Sequence, residues 1–527
     1  MQNPRNLVEL AEGAFEKSGE RLSLIFEGEK YTNRQILEHS RRLHNAFTDL
    51  GLEKGKIAIL FMINHPLVYG VFQGVFRTGA TIVPVMFQAT AAELRFVLED
   101  TKAEAIITDA FCLDRVREAV AGLESVKWVA VREGKDDSDR KPREIALEPL
   151  AEQEPSARIP KIDTDDTAML LYTSGTTGRS KGVMLTHGNL IASALAAHHG
   201  HELQNWRIPR IGLSAMPMAH IFGVAVMNDG YLCPEHLYHS AYSVQMRWFE
   251  PARFVQFLHD YKCTTMAAVP TMLALLLNVP NLDKYDFSNL KEVICGAAPL
   301  PPELARAFMD RFDCRIREIY GMTENAGIAS ANRMSLDFKP GSAGKAYYNC
   351  EIKIVDDQGN ALSPGERGEI CTRGPANMKG YFNRPKETAE VLQDGWLRSG
   401  DVGYLDEQGF LYVVDRKKDM IIRGGENIYP AELEDSIYKI PEVAEAAVVG
   451  IPDPVFGEKV IAFVVPRPGV QLTEEYVLRQ LQGHVRKFKI PAKVHVVGAL
   501  PKAGVGKILR RQLREQAKQL DEKQLDA

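Results

Sequence analysis

From residue 20 to about residue 410, short β-branched or apolar runs alternate with helical patterns. Residues 56–61, 105–108 and 168–172 are such runs, and their near-continuous apolar character predicts strands buried on both faces. The alternation predicts an α/β fold with largely buried sheets. A charged helical pattern fills residues 8–21. The most apolar stretch, residues 57–76, is broken by Asn64, His65 and Pro66, which predicts a buried strand running into a helix rather than a bilayer span. Residues 132–158 are polar, charged and proline-containing, and suit an exposed excursion. The character changes at the charged knot Asp415-Arg416-Lys417-Lys418-Asp419, which separates a strand over 410–414 from Met420-Ile421-Ile422. A smaller unit follows, with helices over 430–438 and 473–481, strands near 446–449, 460–465 and 493–497, a Gly/Lys loop and a basic-acidic, solvated helix over 510–523. The knot therefore marks a boundary between domains 1–415 and 416–527.

A chain of 527 residues calls for two or more domains, each with its own core. Composition is that of a globular protein, and a net charge of -5 lacks the basic excess that a nucleic-acid partner needs. The seven cysteines, Cys112, Cys233, Cys263, Cys295, Cys314, Cys350 and Cys371, are scattered without a C-x-x-C pair. They read as buried thiols in a reducing compartment. With no apolar signal core near Met1, a cytoplasmic protein without a transmembrane segment is expected.

Several segments carry candidate chemistry. Tyr172-Thr173-Ser174-Gly175-Thr176-Thr177-Gly178-Arg179-Ser180-Lys181-Gly182 follows a strand and combines hydroxyls, glycines and a lysine, the ingredients of a polyphosphate cradle. Its spacing is not that of a Walker loop or a dinucleotide fingerprint, and a flexible Ser/Gly loop has the same composition. Tyr320-Gly321-Met322-Thr323-Glu324 offers a flat ring, a hydroxyl and a carboxylate fit for Mg²⁺, or an ordinary turn. Cys295-Gly296-Ala297-Ala298-Pro299 lets a ligand lie against backbone, or a helix pack closely on a strand. Asp401 and Arg416 pair a carboxylate with a guanidinium, and Lys507 stands on a glycine-hinged loop. His198-His199-Gly200-His201 lies at a helix end without a cluster of further ligands, which disfavours a zinc site.

Taken together and in this order, these segments resemble the adenylate-forming superfamily of acyl-CoA synthetases, luciferases and peptide-synthetase adenylation domains, over residues 20–515. The closest resemblance is to acyl-CoA synthetases for fatty or aryl acids. It implies a large amino-terminal α/β domain with stacked sheets and flanking helices, and a small mobile α+β carboxy-terminal domain carrying the catalytic lysine. It implies ATP, Mg²⁺ and coenzyme A, and an acyl-adenylate that becomes a thioester of a fatty, alicyclic or aromatic acid. Loading of a carrier protein and a non-catalytic nucleotide-binding relative are the alternatives. By the same resemblance, Thr173, Ser174, Gly175, Thr176, Thr177, Gly178 and Lys181 hold phosphates. Gly296, Ala297, Ala298 and Pro299 with Tyr320 hold adenine, Gly321 and Met322 also meet the nucleotide, and Asp401 with Arg416 holds the ribose. Thr323 meets the α-phosphate, Glu324 the Mg²⁺, and Lys507 the reacting groups. His220, Phe222, Val269, Gly296, Gly321 and Met322 surround the acyl group; Gly424 and Gly425 line a coenzyme A tunnel; Lys418 is the hinge between two domain poses. Ile422 departs from relatives that carry a lysine there.

Overall fold

In the computed structural model, residues 4–133, 141, 143–155, 161–173, 180–200, 202, 205–336, 338–482, 484–502 and 508–525 are described. Strand Ile57–Phe61 puts Ala58 and Leu60 into one apolar cluster and Ile59 and Phe61 into another, because successive side chains face opposite ways. It pairs in parallel with Thr81–Pro84 and Ala105–Asp109, at the centre of an eight-stranded sheet. One side of that sheet ends in the antiparallel hairpin Thr167–Thr173 and Lys181–Thr186, capped by Gly380–Tyr381.

The interrupted apolar stretch becomes a strand and the helix Leu67–Thr78, of whose twelve residues ten are buried. Its Arg77 is fully buried and pairs with Glu12, which also takes Arg41 at 2.6 Å. This ion triad ties together the first three helices, Leu7–Ser18, Asn33–Asp49 and Leu67–Thr78. Among the described residues no helix is long and apolar enough to cross a membrane.

A second, nine-stranded sheet runs through Arg315–Tyr320, Glu292–Cys295, Thr265–Ala268, Arg210–Ser214 and Ala241–Gln245 to the hairpin Leu22–Phe26 and Glu29–Thr32. The third helix and the helices His187–Gly200 and Ile221–Asp229 contribute to the apolar cluster that lies on the eight-stranded sheet. A five-stranded sheet follows, in which Leu411–Arg416 pairs with Trp396–Leu405. Ile421–Arg423 belongs to a separate five-stranded sheet with two apolar clusters of its own. Residues 417–420 are all that lie between these two sheets.

Two expectations are corrected. Residues 132–158 are not simply an exposed excursion, since Glu144–Ala146 forms the edge strand of the eight-stranded sheet and Leu147 is fully buried. The charges around Ile145 and Leu147 hide a short apolar pattern. The terminal helix, Arg510–Leu525, is not solvated all round: Leu513 and Ala517 are buried, and Arg510 and Arg514 pair with Glu434 and Asp419. All seven cysteines are free; five are buried, while Cys233 and Cys350 are half-buried.

Candidate active site

The hydroxyl- and glycine-rich segment is the loop of a hairpin whose last described pair is Thr173 opposite Lys181. Ser174, Gly175, Thr176, Thr177 and Gly178 lie outside the described residues. The base of the hairpin is fixed by Tyr172, whose hydroxyl donates to Asp100 at 2.6 Å, and Arg384 pairs with the same carboxylate. The Lys181 ammonium stands 4.9 Å from the centre of the Tyr381 ring. Tyr381 in turn donates to Glu324 Oε1 at 3.0 Å. Glu324 is buried, which raises its pKa, although the Tyr381 hydroxyl and the Arg416 charge oppose that shift. It sits in the short helical turn Thr323–Asn325, where the Met322 amide donates to Asn325 Oδ1 at 2.8 Å. Tyr381 escaped sequence analysis because it lies 57 residues from Glu324 and belongs to no motif.

On the other side of Gly321, Tyr320 donates to Asp401 Oδ2 at 2.9 Å, and Arg416 Nε approaches Asp401 Oδ1 at 3.2 Å. Strand register brings this about, because Asp401 stands opposite Arg416. Burial, then the Asp401 charge, push the Tyr320 phenol well up, so it stays a proton donor. Beside it Cys295 is opposite Glu318, which puts Gly296 next to Ile319. A Cβ at Gly296 would lie 2.6 Å from the Ile319 side chain. Ala297 has a φ of 70°, a left-handed backbone rare for a residue with a side chain, and Ala298 and Pro299 complete this turn.

Next to these groups opens a cavity of about 170 Å³ between the nine-stranded sheet and the Ile221–Asp229 helix. Phe222, Ala225, Val226, Ile294 and Ile319 give it apolar walls. Among the expected acyl-pocket residues only Phe222 lines it: Gly296, Gly321 and Met322 do not, Val269 is buried in the apolar core, and His220 caps the helix, its Nδ1 accepting from the Phe222 amide at 3.2 Å. Gly424 and Gly425 form the two-residue turn between Arg423 and Glu426, both with positive φ as such a hairpin requires. The exposed Lys418 lies in the turn between the two five-stranded sheets. Lys507 lies outside the described residues. Among the described residues no group of three or more His, Cys, Asp or Glu could hold a metal, and His199 instead lies 4.3 Å from the Tyr348 ring.

A buried carboxylate, a lysine at the base of a hydroxyl-rich hairpin and an apolar cavity thus stand close together. The chain belongs to the AMP-binding enzyme family, which matches residues 11–382, with that family's carboxy-terminal domain matching residues 432–507. A feruloyl-CoA synthase of an Amycolatopsis species is 34% identical over 489 residues, 92% of this chain and 94% of the relative. A long-chain-fatty-acid–CoA ligase of Bacillus subtilis (strain 168) is 33% identical, covering 94% of this chain and 92% of its own. The crystal structure of ATP-bound MatB from Rhodopseudomonas palustris has a TM-score of 0.86 at 28% identity, covering 98% of this chain and 99% of that one. The protein is an AMP-forming acyl-CoA synthetase by these relationships.

Proposed function

We propose that the protein joins an apolar carboxylic acid to coenzyme A through an acyl-adenylate, with its ATP site and acyl site meeting at Gly321. The observation that carries this is two strings of side chains on either side of Gly321: Lys181 over Tyr381 and Tyr381 on Glu324, and Tyr320 on Asp401 and Asp401 on Arg416. Their order suits ATP laid along them. Thr173, Lys181 and the hairpin loop take the terminal phosphates, and Thr323 takes the α-phosphate. Asp401 has lone pairs beyond those given to Tyr320 and Arg416, enough to accept the ribose hydroxyls. The bare backbone at Gly296, Ala297 and Gly321 leaves room for a flat base.

The chemical difficulty is that one anion attacks another, so cationic groups must stand where charge builds up. Lys507 fills that role between the acid and the α-phosphate. Glu324 fits Mg²⁺: it is a hard oxygen ligand, and a buried carboxylate with a raised pKa gains from a nearby dication. When bound there, the ion neutralises phosphate charge. Gly424 and Gly425 line the approach of the thiol arm of coenzyme A, and Lys418 is the hinge that exchanges them for Lys507.

The test is product analysis from ATP, Mg²⁺, coenzyme A and a panel of fatty, alicyclic and aromatic acids. AMP, pyrophosphate and one acyl-CoA thioester are expected; ADP, or adenylation without a thioester, overturns the proposal. Lys507→Ala is expected to lower acyl-adenylate formation about 10²–10³-fold while sparing transfer from supplied acyl-adenylate. Equal loss in both half-reactions removes Lys507 from this role.

A further inference from the structure

The cavity is apolar where it adjoins the nucleotide groups but polar where it meets the third helix. Tyr69 and Gln73, one turn apart on Leu67–Thr78, and Tyr231, just beyond the Ile221–Asp229 helix, all line it. Gln73 Nε2 donates to Leu7 O at 3.4 Å and to the Tyr231 oxygen at 3.3 Å. The Leu7 carbonyl therefore fixes the amide orientation, and the Tyr231 hydroxyl, which accepts from Gln73, keeps its own proton to give. Tyr69 makes no hydrogen bond among the described residues. Burial pushes the Tyr231 phenol up to about 12 and raises that of Tyr69 further, so both are neutral donors. Both are half-buried, and the cavity is what they share.

The Ile221–Asp229 helix measures the distance. At one end the Cβ position of Gly327 is 3.1 Å from Ile221, beside the Thr323–Asn325 turn. Tyr231 is ten residues on, about 15 Å along a helical path. That span suits an extended medium-length acyl chain. A purely hydrocarbon tail would leave two phenol protons facing carbon, whereas an oxygen at the tail's end could accept from both.

We propose that the acid activated by this enzyme carries an oxygen function, a hydroxyl or keto group, at the end of its chain remote from the carboxylate, and that Tyr69 and Tyr231 hydrogen-bond to it. This rests on the acid lying in the cavity. Tyr→Phe changes remove the hydroxyl and keep the ring, so shape is conserved. The measurement is kcat/KM for thioester formation with ω-hydroxydecanoate and with decanoate, in wild type, Tyr69→Phe, Tyr231→Phe and the cavity-filling Ala225→Trp, each checked for folding by its thermal transition. Wild type should favour the hydroxy acid roughly tenfold, and each Tyr→Phe change should bring that ratio close to unity. A wild-type ratio near or below unity, as when water satisfies the phenols, overturns the proposal. So does a ratio that survives both Tyr→Phe changes. If Ala225→Trp blocks both acids while wild type shows no preference, only the terminal oxygen is wrong. If folded Ala225→Trp uses both acids as wild type does, or wild type uses neither, the acid does not lie in this cavity, and the cavity reading falls together with the proposal.

Discussion

A methyl group at position 321 would lie 2.2 Å from the Gly327 carbonyl oxygen and 2.3 Å from its carbon, so only glycine lets these two backbone segments touch. Gly327 itself has a φ of 87°, and the preceding Ala326 a φ of 52°. The whole turn from Tyr320 to Ile328 is thus folded back on itself, aiming Tyr320 at Asp401 and Glu324 at Tyr381. Gly321→Ala is therefore expected to push the turn apart. Overpacking of this kind costs about 1–3 kcal/mol, and a displacement of about 1 Å among positioned groups costs about 10²-fold in rate. Pyrophosphate release should fall at least that far, with a Tm several degrees lower; a variant with wild-type Tm and rate would show that the turn yields freely. The sequence marks Gly321 as a site residue but not its partner. Gly327 makes its contact only once the chain has turned, and no spacing rule announces it.

The link between the two five-stranded sheets holds the proposed hinge, Lys418. Residues 417–420 join Leu411–Arg416 to Ile421–Arg423, and Asp415 accepts from the Arg416 amide at 2.7 Å and the Ala431 amide at 2.9 Å. That carboxylate bridges the end of one sheet to the first turn of the helix Pro430–Tyr438 across residues 417–420, so a rotation about the proposed hinge has to open this hydrogen bond. Lys418→Pro, which fixes φ near about -65°, should leave a single-turnover burst of pyrophosphate close to normal and sharply slow thioester formation, with Lys418→Ala mild in both. Equal loss of both half-reactions in a folded Lys418→Pro enzyme would move the hinge elsewhere. Elements of this kind were legible where local chemistry specifies them: Pro430 at the first turn sets a helix start, and Asn64, His65 and Pro66 separate a strand from a helix. Partnerships across long sequence distances were not. Arg510 and Arg514 look like solvated charges until Glu434 and Asp419 are brought to them, and Tyr69, Gln73 and Tyr231 look like ordinary polar residues until a cavity forms among them.

At the scale of the whole molecule, Glu318 on the nine-stranded sheet feels the charge of Asp435 in the carboxy-terminal unit. Burial raises Glu318 to about 8, with Asp435 adding to the shift against an opposing Leu300 amide, and burial followed by Glu434 raises Asp435 to about 6. The folded protein holds the Glu318 proton where an unfolded chain has released it, above about 4.5. Its contribution to stability is therefore complete at low pH and is lost as pH rises through about 8. Burial lowers His65 and His187 to about 3 and 4, which gives the opposite slope, but only below their unfolded value of 6.5. Between pH 7 and 8 the slope should belong to Glu318. Glu318→Gln, neutral at every pH, should exceed wild type at the upper end of that window by about 1–3 kcal/mol, read by calorimetry of the ligand-free enzyme; parallel curves for the two proteins would remove the carboxyl from this account. The carboxy-terminal unit is tethered by the link of four residues, 417–420, which can reach at most about 14 Å. On so short a leash the second unit never leaves the neighbourhood of the nucleotide, and its local concentration stands at millimolar or above however dilute the enzyme. With Lys418 as the proposed hinge, passage from one half-reaction to the other is a rotational search, first-order in protein and governed by solvent viscosity rather than by encounter.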